Sequence, residues 1–326
     1  MPFVRTVLGD IDPSELGVTD AHEHIIIAGG TPVELFPDLL LVDVDKAVEE
    51  LGLASRHGLR SVIDAMPIGC GRDALLLAEV SRRSGINIVA PTGLHAAHWY
   101  ADEHWSLTLD TEAIADLFIA DVIEGIDAND HRGAAIERTD VRAGVIKIGG
   151  SGQFPTDRDA RVFEAAAMAQ KRTGVPILTH AEGGRFGLEQ ARVLESHGAD
   201  LAHVVLSHVD KVVDRHYHRE LASSGARVEF DQAFRWKDGP NGTLQILEWL
   251  VEDELVEHIT LGLDAARRGY WEVYGGSPGI SYLVDGLSKQ MTERGIGRDV
   301  QQRFYVANPT AAYTFIERGD GPAGAP

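Results

Sequence analysis

A closed parallel (β/α)8 barrel, an α/β fold, is what this sequence predicts, on three observations. Short runs rich in Val, Ile and Leu alternate with longer amphipathic stretches almost to the C-terminus. Eight such runs occur, each too short for a helix, which is how strands buried on both faces read. Several of them close on a His or an Asp at the same end, where a parallel barrel gathers its functional groups. The alternative, an open doubly wound sheet, would bind a dinucleotide through a strand, a GxGxxG turn and a helix. No such turn is present, nor a GxxxxGK[ST] phosphate loop.

In chain order, the first strand is residues 18–25 (VTDAHEHI), followed by a helix over 45–57 that opens on an Asp suited to an N-cap and stops at Gly58. Strand 59–66 (LRSVIDAM) precedes helix 73–85, and strands 86–93 (INIVAPTG) and 141–149 (VRAGVIKIG) come next. A helix from Thr156 to Arg172 begins with acid-rich TDRD, ends at Gly174, and sets Val162, Phe163, Ala166 and Ala167 on one face. Strand 175–181 (VPILTHA), helix 186–198, strand 202–209 (AHVVLSHV), helix 214–225, strand 226–232 (ARVEFDQ), helix 244–258 and strand 258–265 (HITLGLDA) complete the alternation. No interior linker stands out, so one domain over residues 1–317 is expected, with a Gly/Pro-rich tail at 318–326 (RGDGPAGAP) expected to be disordered.

The composition narrows the function. Against 30 Lys and Arg stand 50 Asp and Glu, a net charge of −20 over 326 residues, and nucleic acid or an anionic membrane would need a basic footprint instead. A single cysteine, Cys70, excludes an internal disulfide framework and any Cys-based zinc or iron–sulfur cluster. The N-terminal MPFVRTVLGD has no basic start followed by an apolar run, and no apolar run approaches the roughly 18 residues that span a bilayer. A soluble cytoplasmic protein acting on a small molecule is expected.

Histidine, at 14 residues, is the compositional oddity. His22 and His24 alternate on the first strand and so point to the same side, where two imidazoles either chelate one divalent cation or are hydrogen-bonded strand residues. His180 ends the VPILTHA run, His208 ends VVLSHV and Asp264 ends ITLGLD. In a barrel these four histidines and one aspartate converge, which favours metal binding over coincidence. Lys147 lies inside the apolar GVIKIGG, where an unpaired ammonium costs several kcal/mol. It either pairs with a neighbouring carboxylate or, deprotonated by burial, reacts with carbon dioxide to give a carbamate.

Taken together, TDAHEHI, VIKIGGSG, PILTHAEGG, VVLSHVD and LGLDAAR, in this order, resemble the phosphotriesterase-like group of the amidohydrolase superfamily. The resemblance runs from TVLGDIDPSELGVTDAHEH to ANPTAAYTF and implies the amidohydrolase type of barrel with two divalent metal ions per chain. It implies that His22, His24 and Asp264 hold the more buried metal, that His180 and His208 hold the more exposed one, and that N6-carboxylated Lys147 bridges both together with a hydroxide. Zinc is the first expectation, and manganese, cobalt or iron also suit such ligands. Asp264 is then the proton acceptor in hydrolysis of an ester, lactone, amide or phosphoester. The resemblance also suggests a homodimer.

After Asp264 comes DAARRGYWEVYGGSPG, whose DxARxxYW…YGGxPG arrangement looks like the branch that hydrolyses phosphorylated sugar lactones. By position, Arg267 and Tyr270, with Lys237 from the preceding loop, are expected to grip the phosphate of a small anionic substrate. Where organophosphate hydrolases carry an Asp–His relay, this chain has Lys211 after Asp210 and Gln232 after Asp231, and His95 stands where an aromatic wall is usual. His95 and Tyr100, with His98, are expected to line a more polar pocket that suits a sugar. The same metal site could instead cleave an N-acyl amide, an acyl-homoserine lactone or an organophosphate. A non-catalytic metal-binding barrel would be expected to have lost one of the six residues.

Overall fold

The structure, a computed structural model, describes residues 1–316. The end of the expected tail and its disorder, from residue 318 on, lie outside the described residues. Strands β1 (Val4–Thr6) and β2 (Gly9–Ile11) form an antiparallel hairpin, and β3 (Thr19–Glu23) opens the barrel. Then follow α1 (Thr31–Leu35), α2 (Val44–Arg56), β4 (Ser61–Asp64), α3 (Ala74–Ser84), β5 (Asn87–Val89), β6 (Pro91–Thr92), α4 (Thr111–Ile123) and β7 (Val145–Gly149). The series continues with α5 (Asp157–Thr173), β8 (Ile177–His180), α6 (Gly187–Ser196), β9 (Val204–Ser207), α7 (Arg215–Ala222), β10 (Arg227–Phe230), α8 (Gly242–Glu252) and β11 (Ile259–Leu261). Three short helices, α9 (Gly286–Glu293), α10 (Arg298–Gln302) and α11 (Asn308–Tyr313), end the described chain.

Every expected strand is present, and each ladder between barrel strands is parallel. The run at 86–93 is split, because Pro91 has no N–H to give the ladder. Its first half, β5, pairs with β4, and its second half, β6, pairs with β7. Between them the Ala90 carbonyl accepts from Gly144 N at 2.9 Å. The circle closes where Leu263 N and Asp264 N reach the His22 carbonyl at 3.3 and 2.9 Å. Gly262 is required at this seam, since a Cβ there would lie 2.5 Å from Glu229 Oε1 and 2.8 Å from His22 N.

Helix ends follow the expected chemistry. The Thr156 hydroxyl caps α5 in a reciprocal capping box with Asp159, and Gly174 closes it in the left-handed conformation. Helix α2 is capped by Asp43 rather than by Asp45, and α8 ends at Glu252, short of the expected 258. Helix α4 has no counterpart among the expected elements, because its apolar residues wrap round the helix instead of forming one stripe. The β1–β2 hairpin and the C-terminal helices α9, α10 and α11 are likewise additional to the expected alternation.

Two apolar regions result. The larger fills the layer between strands and helices, with Phe118, Phe163, Phe230 and Leu247 among its fully buried members. The smaller includes Val4, Leu16, Ile63, Val89, Val145, Leu178, Val205 and Tyr313. Strand alternation puts Val145 on the same face as Lys147, and Leu178 on the same face as His180. The barrel therefore has an apolar floor, plugged by the hairpin and by Tyr313, whose hydroxyl donates to the Ala21 carbonyl at 2.9 Å, beneath a polar upper layer.

Beside the barrel, buried Arg72 donates to Asp130 Oδ1 at 3.0 Å, Asp121 Oδ2 at 2.9 Å and the Pro91 carbonyl at 2.8 Å. This knot fixes the loop after β4 to α4 and to the split strand. Arg72→Met should lower unfolding stability by about 3–5 kcal/mol, the cost of leaving buried carboxylates without their cation. Urea unfolding followed by circular dichroism checks it, with a loss under about 1 kcal/mol counting against a structural role.

Candidate metal centre

His22 and His24 project from and just beyond β3, Lys147 from the middle of β7, His180 from the end of β8, His208 from the residue after β9, and Asp264 from three residues past β11. All six line one cavity of about 350 Å³ at the C-terminal mouth of the barrel. His208 and Asp264 are non-glycine residues in the left-handed region, with φ of 65° and 52°. Such backbone costs free energy and persists where the surroundings demand it. Here it turns two side chains back over the mouth as the strands end.

Two groups of ligand atoms, those of His22, His24 and Asp264 and those of His22, His208 and Asp231, lie within 4.8 Å of one another. His24 Nε2 is 3.3 Å from Asp264 Oδ1, and His208 Nδ1 is 2.7 Å from Asp231 Oδ2. The His180 and His208 rings stand with centroids 4.3 Å apart, and His180 Nε2 also meets Glu182 Oε2 at 3.2 Å. Lys147 Nζ lies 3.4 Å from His22 Nε2, 3.2 Å from the Thr179 carbonyl and 3.4 Å from Ser207 Oγ. No carboxylate is in direct contact with it among the described residues, so the simple salt-bridge reading of Lys147 does not hold here.

The electrostatics suit cations. Asp20, Glu23, Asp64, Glu229 and Asp231 are all fully buried around the histidines, and one oxygen each of Asp20, Glu23 and Glu229 has no hydrogen-bond partner. Burial pushes the carboxyl groups of Asp20, Glu23 and Glu229 well above their usual range. It also holds His22 and His208 well below the usual imidazole range, so they offer neutral nitrogens. Burial lowers the Lys147 ammonium to about 8, although Glu229, Asp264 and Asp231 pull the other way. Asp264 is different: burial alone would raise it, but Arg235, the hydrogen bond from His24, and His208 and His22 hold it well below the carboxylate range. Neutral imidazoles beside buried carboxylates are a donor set that fits hard or borderline divalent cations.

The backbone of the site is itself tied to acids. Glu23 Oε1 accepts from His24 N at 2.8 Å and from Ala265 N at 2.7 Å, while Asp64 Oδ2 accepts from Ile25 N at 2.8 Å. His22 Nδ1 meets Glu229 Oε2 at 2.8 Å, which orients the ring and leaves Nε2 for the cavity.

The expected substrate contacts are only partly brought together. His95, Arg267 and Tyr270 line the cavity. Lys237 does not; it is exposed and faces an adjoining cavity. Arg235, two residues earlier in the same loop, comes to the site instead, donating to Asp264 Oδ2 at 3.1 Å and lying 5.4 Å from the Tyr270 ring. Tyr100 does not line the cavity either. It is buried behind it, where its hydroxyl donates to the Ile68 carbonyl at 2.9 Å and accepts from His95 N at 2.8 Å, and Trp99 takes the wall position. Sequence reasoning missed Arg235, Glu229 and Asp231. The acids were detectable by the argument applied to Lys147, charge inside an apolar strand, whereas Arg235 carried no signal of its own.

A parallel barrel with such donors at its C-terminal mouth belongs to the hydrolytic barrels that use divalent cations. Residues 2–313 match the phosphotriesterase family, and the chain belongs to that family and is a hydrolase. A phospho-furanose lactonase of Mycoplasmopsis synoviae is 33% identical to it over 329 residues, spanning 97% of this chain and 93% of the relative. Among solved structures, an amidohydrolase from Mycoplasma synoviae superimposes with a TM-score of 0.91 at 31% identity, covering 98% of this chain and 93% of that one. A lactonase from Listeria monocytogenes gives 0.88 at 27% identity, with 97% and 100% covered.

Glu229→Gln keeps the shape but weakens the hold on His22 Nδ1. Zinc affinity, measured by competition with a chelating dye, should fall about 10–100-fold. An unchanged affinity would separate Glu229 from the metal centre.

Proposed function

We propose that the chain opens the ester bond of a lactone, in particular a furanose lactone carrying a phosphate. The observation that carries this reading is that one cavity gathers His22, His24, Lys147, His180, His208 and Asp264 with Arg267 and Tyr270 of the loop after β11, and that Arg235, bonded to Asp264 and beside Tyr270, joins the two groups. Similarity to a phospho-furanose lactonase over nearly the whole chain supports the same choice.

His22, His24, His180, His208 and Asp264, with Lys147 once carboxylated, would hold two divalent cations. When bound, such ions polarise an ester carbonyl and lower the pKa of water enough to supply a nucleophile at neutral pH. Lys147 is suited to carboxylation because burial leaves a substantial share of the amine neutral near pH 8. Asp264, kept ionised by Arg235, is the proton acceptor within the cavity and returns the proton to the departing alkoxide oxygen. Arg267 and Tyr270 lie on the loop after the last strand, where barrels commonly bind phosphate. They would hold the substrate's anion remote from the bond that breaks, and Arg235 would anchor Asp264 beside Tyr270. The imidazole of His95, with its ring centroid 4.7 Å from that of His180, gives a sugar hydroxyl a polar wall.

The test is turnover of furanose lactones with and without a 5-phosphate. The phosphorylated lactone should have kcat/KM higher by about one to two powers of ten, the worth of a charge-assisted hydrogen bond. Equal values would remove the phosphate from the reading, and no turnover of either would remove the lactone.

A further inference from the structure

Arg267 faces the cavity, yet its charge is already engaged. Its Nη1 lies 2.7 Å from both Oδ1 and Oδ2 of Asp38, and its guanidinium sits 5.3 Å from the centre of the Phe36 ring. Asp38 belongs to the short turn Pro37–Leu39 in the excursion after β3, so the pair ties that excursion to the loop after β11 across the mouth. Leu39, next to Asp38, lines the same cavity. The two side chains are 50% and 34% exposed, so water and a dissolved anion can reach the contact.

We propose that Asp38 is a specificity-determining residue: an internal anion that occupies Arg267 in the free enzyme and that a substrate must displace with a phosphate of its own. The proposal rests on the phosphorylated-lactone reading above. An ion pair this exposed is weak, because both partners remain solvated and long side chains must be held in one geometry. A phosphate brings up to two charges and several acceptor oxygens, and makes a forked, charge-assisted contact with a guanidinium that a single carboxylate at one nitrogen does not match. An uncharged lactone has nothing to exchange for Asp38 and enters with the pair closed. The competition thus lowers the affinity of every anionic substrate somewhat and leaves only those with a strong anion able to claim Arg267. Asp38 acts on selectivity among anions and has no part in the bond that breaks.

The test measures kcat and KM for a furanose lactone with and without a 5-phosphate in the wild type, Asp38→Asn, Arg267→Ala and the double variant. Asp38→Asn should raise kcat/KM for the phosphorylated lactone about two- to fivefold, through KM, which is the size of an exposed ion pair. The unphosphorylated lactone should not respond. In the Arg267→Ala background the same substitution should have no effect, because both act through one contact. Glu34→Gln removes a charge from the same excursion, at an exposed position, and should leave the ratio of the two lactones unchanged. The inference is overturned if Asp38→Asn changes both lactones alike or neither, if it acts undiminished without Arg267, or if Glu34→Gln reproduces it. Those outcomes leave the proposed function standing. A wild type indifferent to the phosphate would take the proposed function and this inference down together.

Discussion

Lys147 sits in the middle of the barrel, 1% exposed, with its Nζ against an imidazole, a carbonyl and a hydroxyl. An ammonium in that position is disfavoured by desolvation, and the acids nearby oppose the loss of its charge. Much of the upper barrel answers this constraint. Buried carboxylates ring the histidines, burial keeps His22 and His208 neutral, and the whole layer rests on an apolar floor. The layer holds more carboxyl groups than cationic side chains to pair with them, and Asp20, Glu23 and Glu229 each keep an oxygen without a hydrogen-bond partner. A site of that kind is poised for divalent cations, and a carbamate on Lys147 would turn the one misplaced cation into another ligand.

The rigidity of the site comes from where its residues lie in the chain. Donors on strands or within three residues of their ends inherit the precision of the ladder, and Glu23, Asp64 and Glu229 tie the first barrel strand to the eighth, second and seventh through short hydrogen bonds. The arginines of the cavity sit instead on loops, where Arg235 is fixed by three backbone carbonyls and Arg267 by one exposed carboxylate. The imidazole cluster and Arg235 are thus held in one geometry, and Arg267 is the cationic group most loosely tied to its surroundings.

This division also explains what the sequence disclosed. Strand runs such as VPILTHA and VVLSHV could be read because burial on both faces demands unbroken apolar runs, and a His at their end breaks a pattern. The six residues gathered at the mouth were therefore legible as a set. Loop positions have no such pattern behind them. Lys237 and Arg235 lie two apart in one loop, and contacts formed only in the fold, the bonds of Arg235 to Asp231, Leu263 and Asp264 and its stacking on Phe234, 4.7 Å from its ring centre, decide which one enters the cavity. Tyr100 was likewise read as a wall and is a support for His95. Helix α4 went unread because an element covered on several sides shows no single apolar stripe, and the β1–β2 hairpin because three-residue strands give the period too little room.

Metal content with and without Lys147 tests the central claim most directly. The protein, loaded with zinc, passed through a desalting column and analysed for zinc per chain, should hold about two ions. Lys147→Met, which preserves the side chain's length and its apolar stem, should hold fewer and lose hydrolytic activity in parallel, with circular dichroism and thermal unfolding showing an intact fold. A folded Lys147→Met variant that keeps both ions and full turnover would contradict the account, because the buried lysine would then be irrelevant to the cations it lies among.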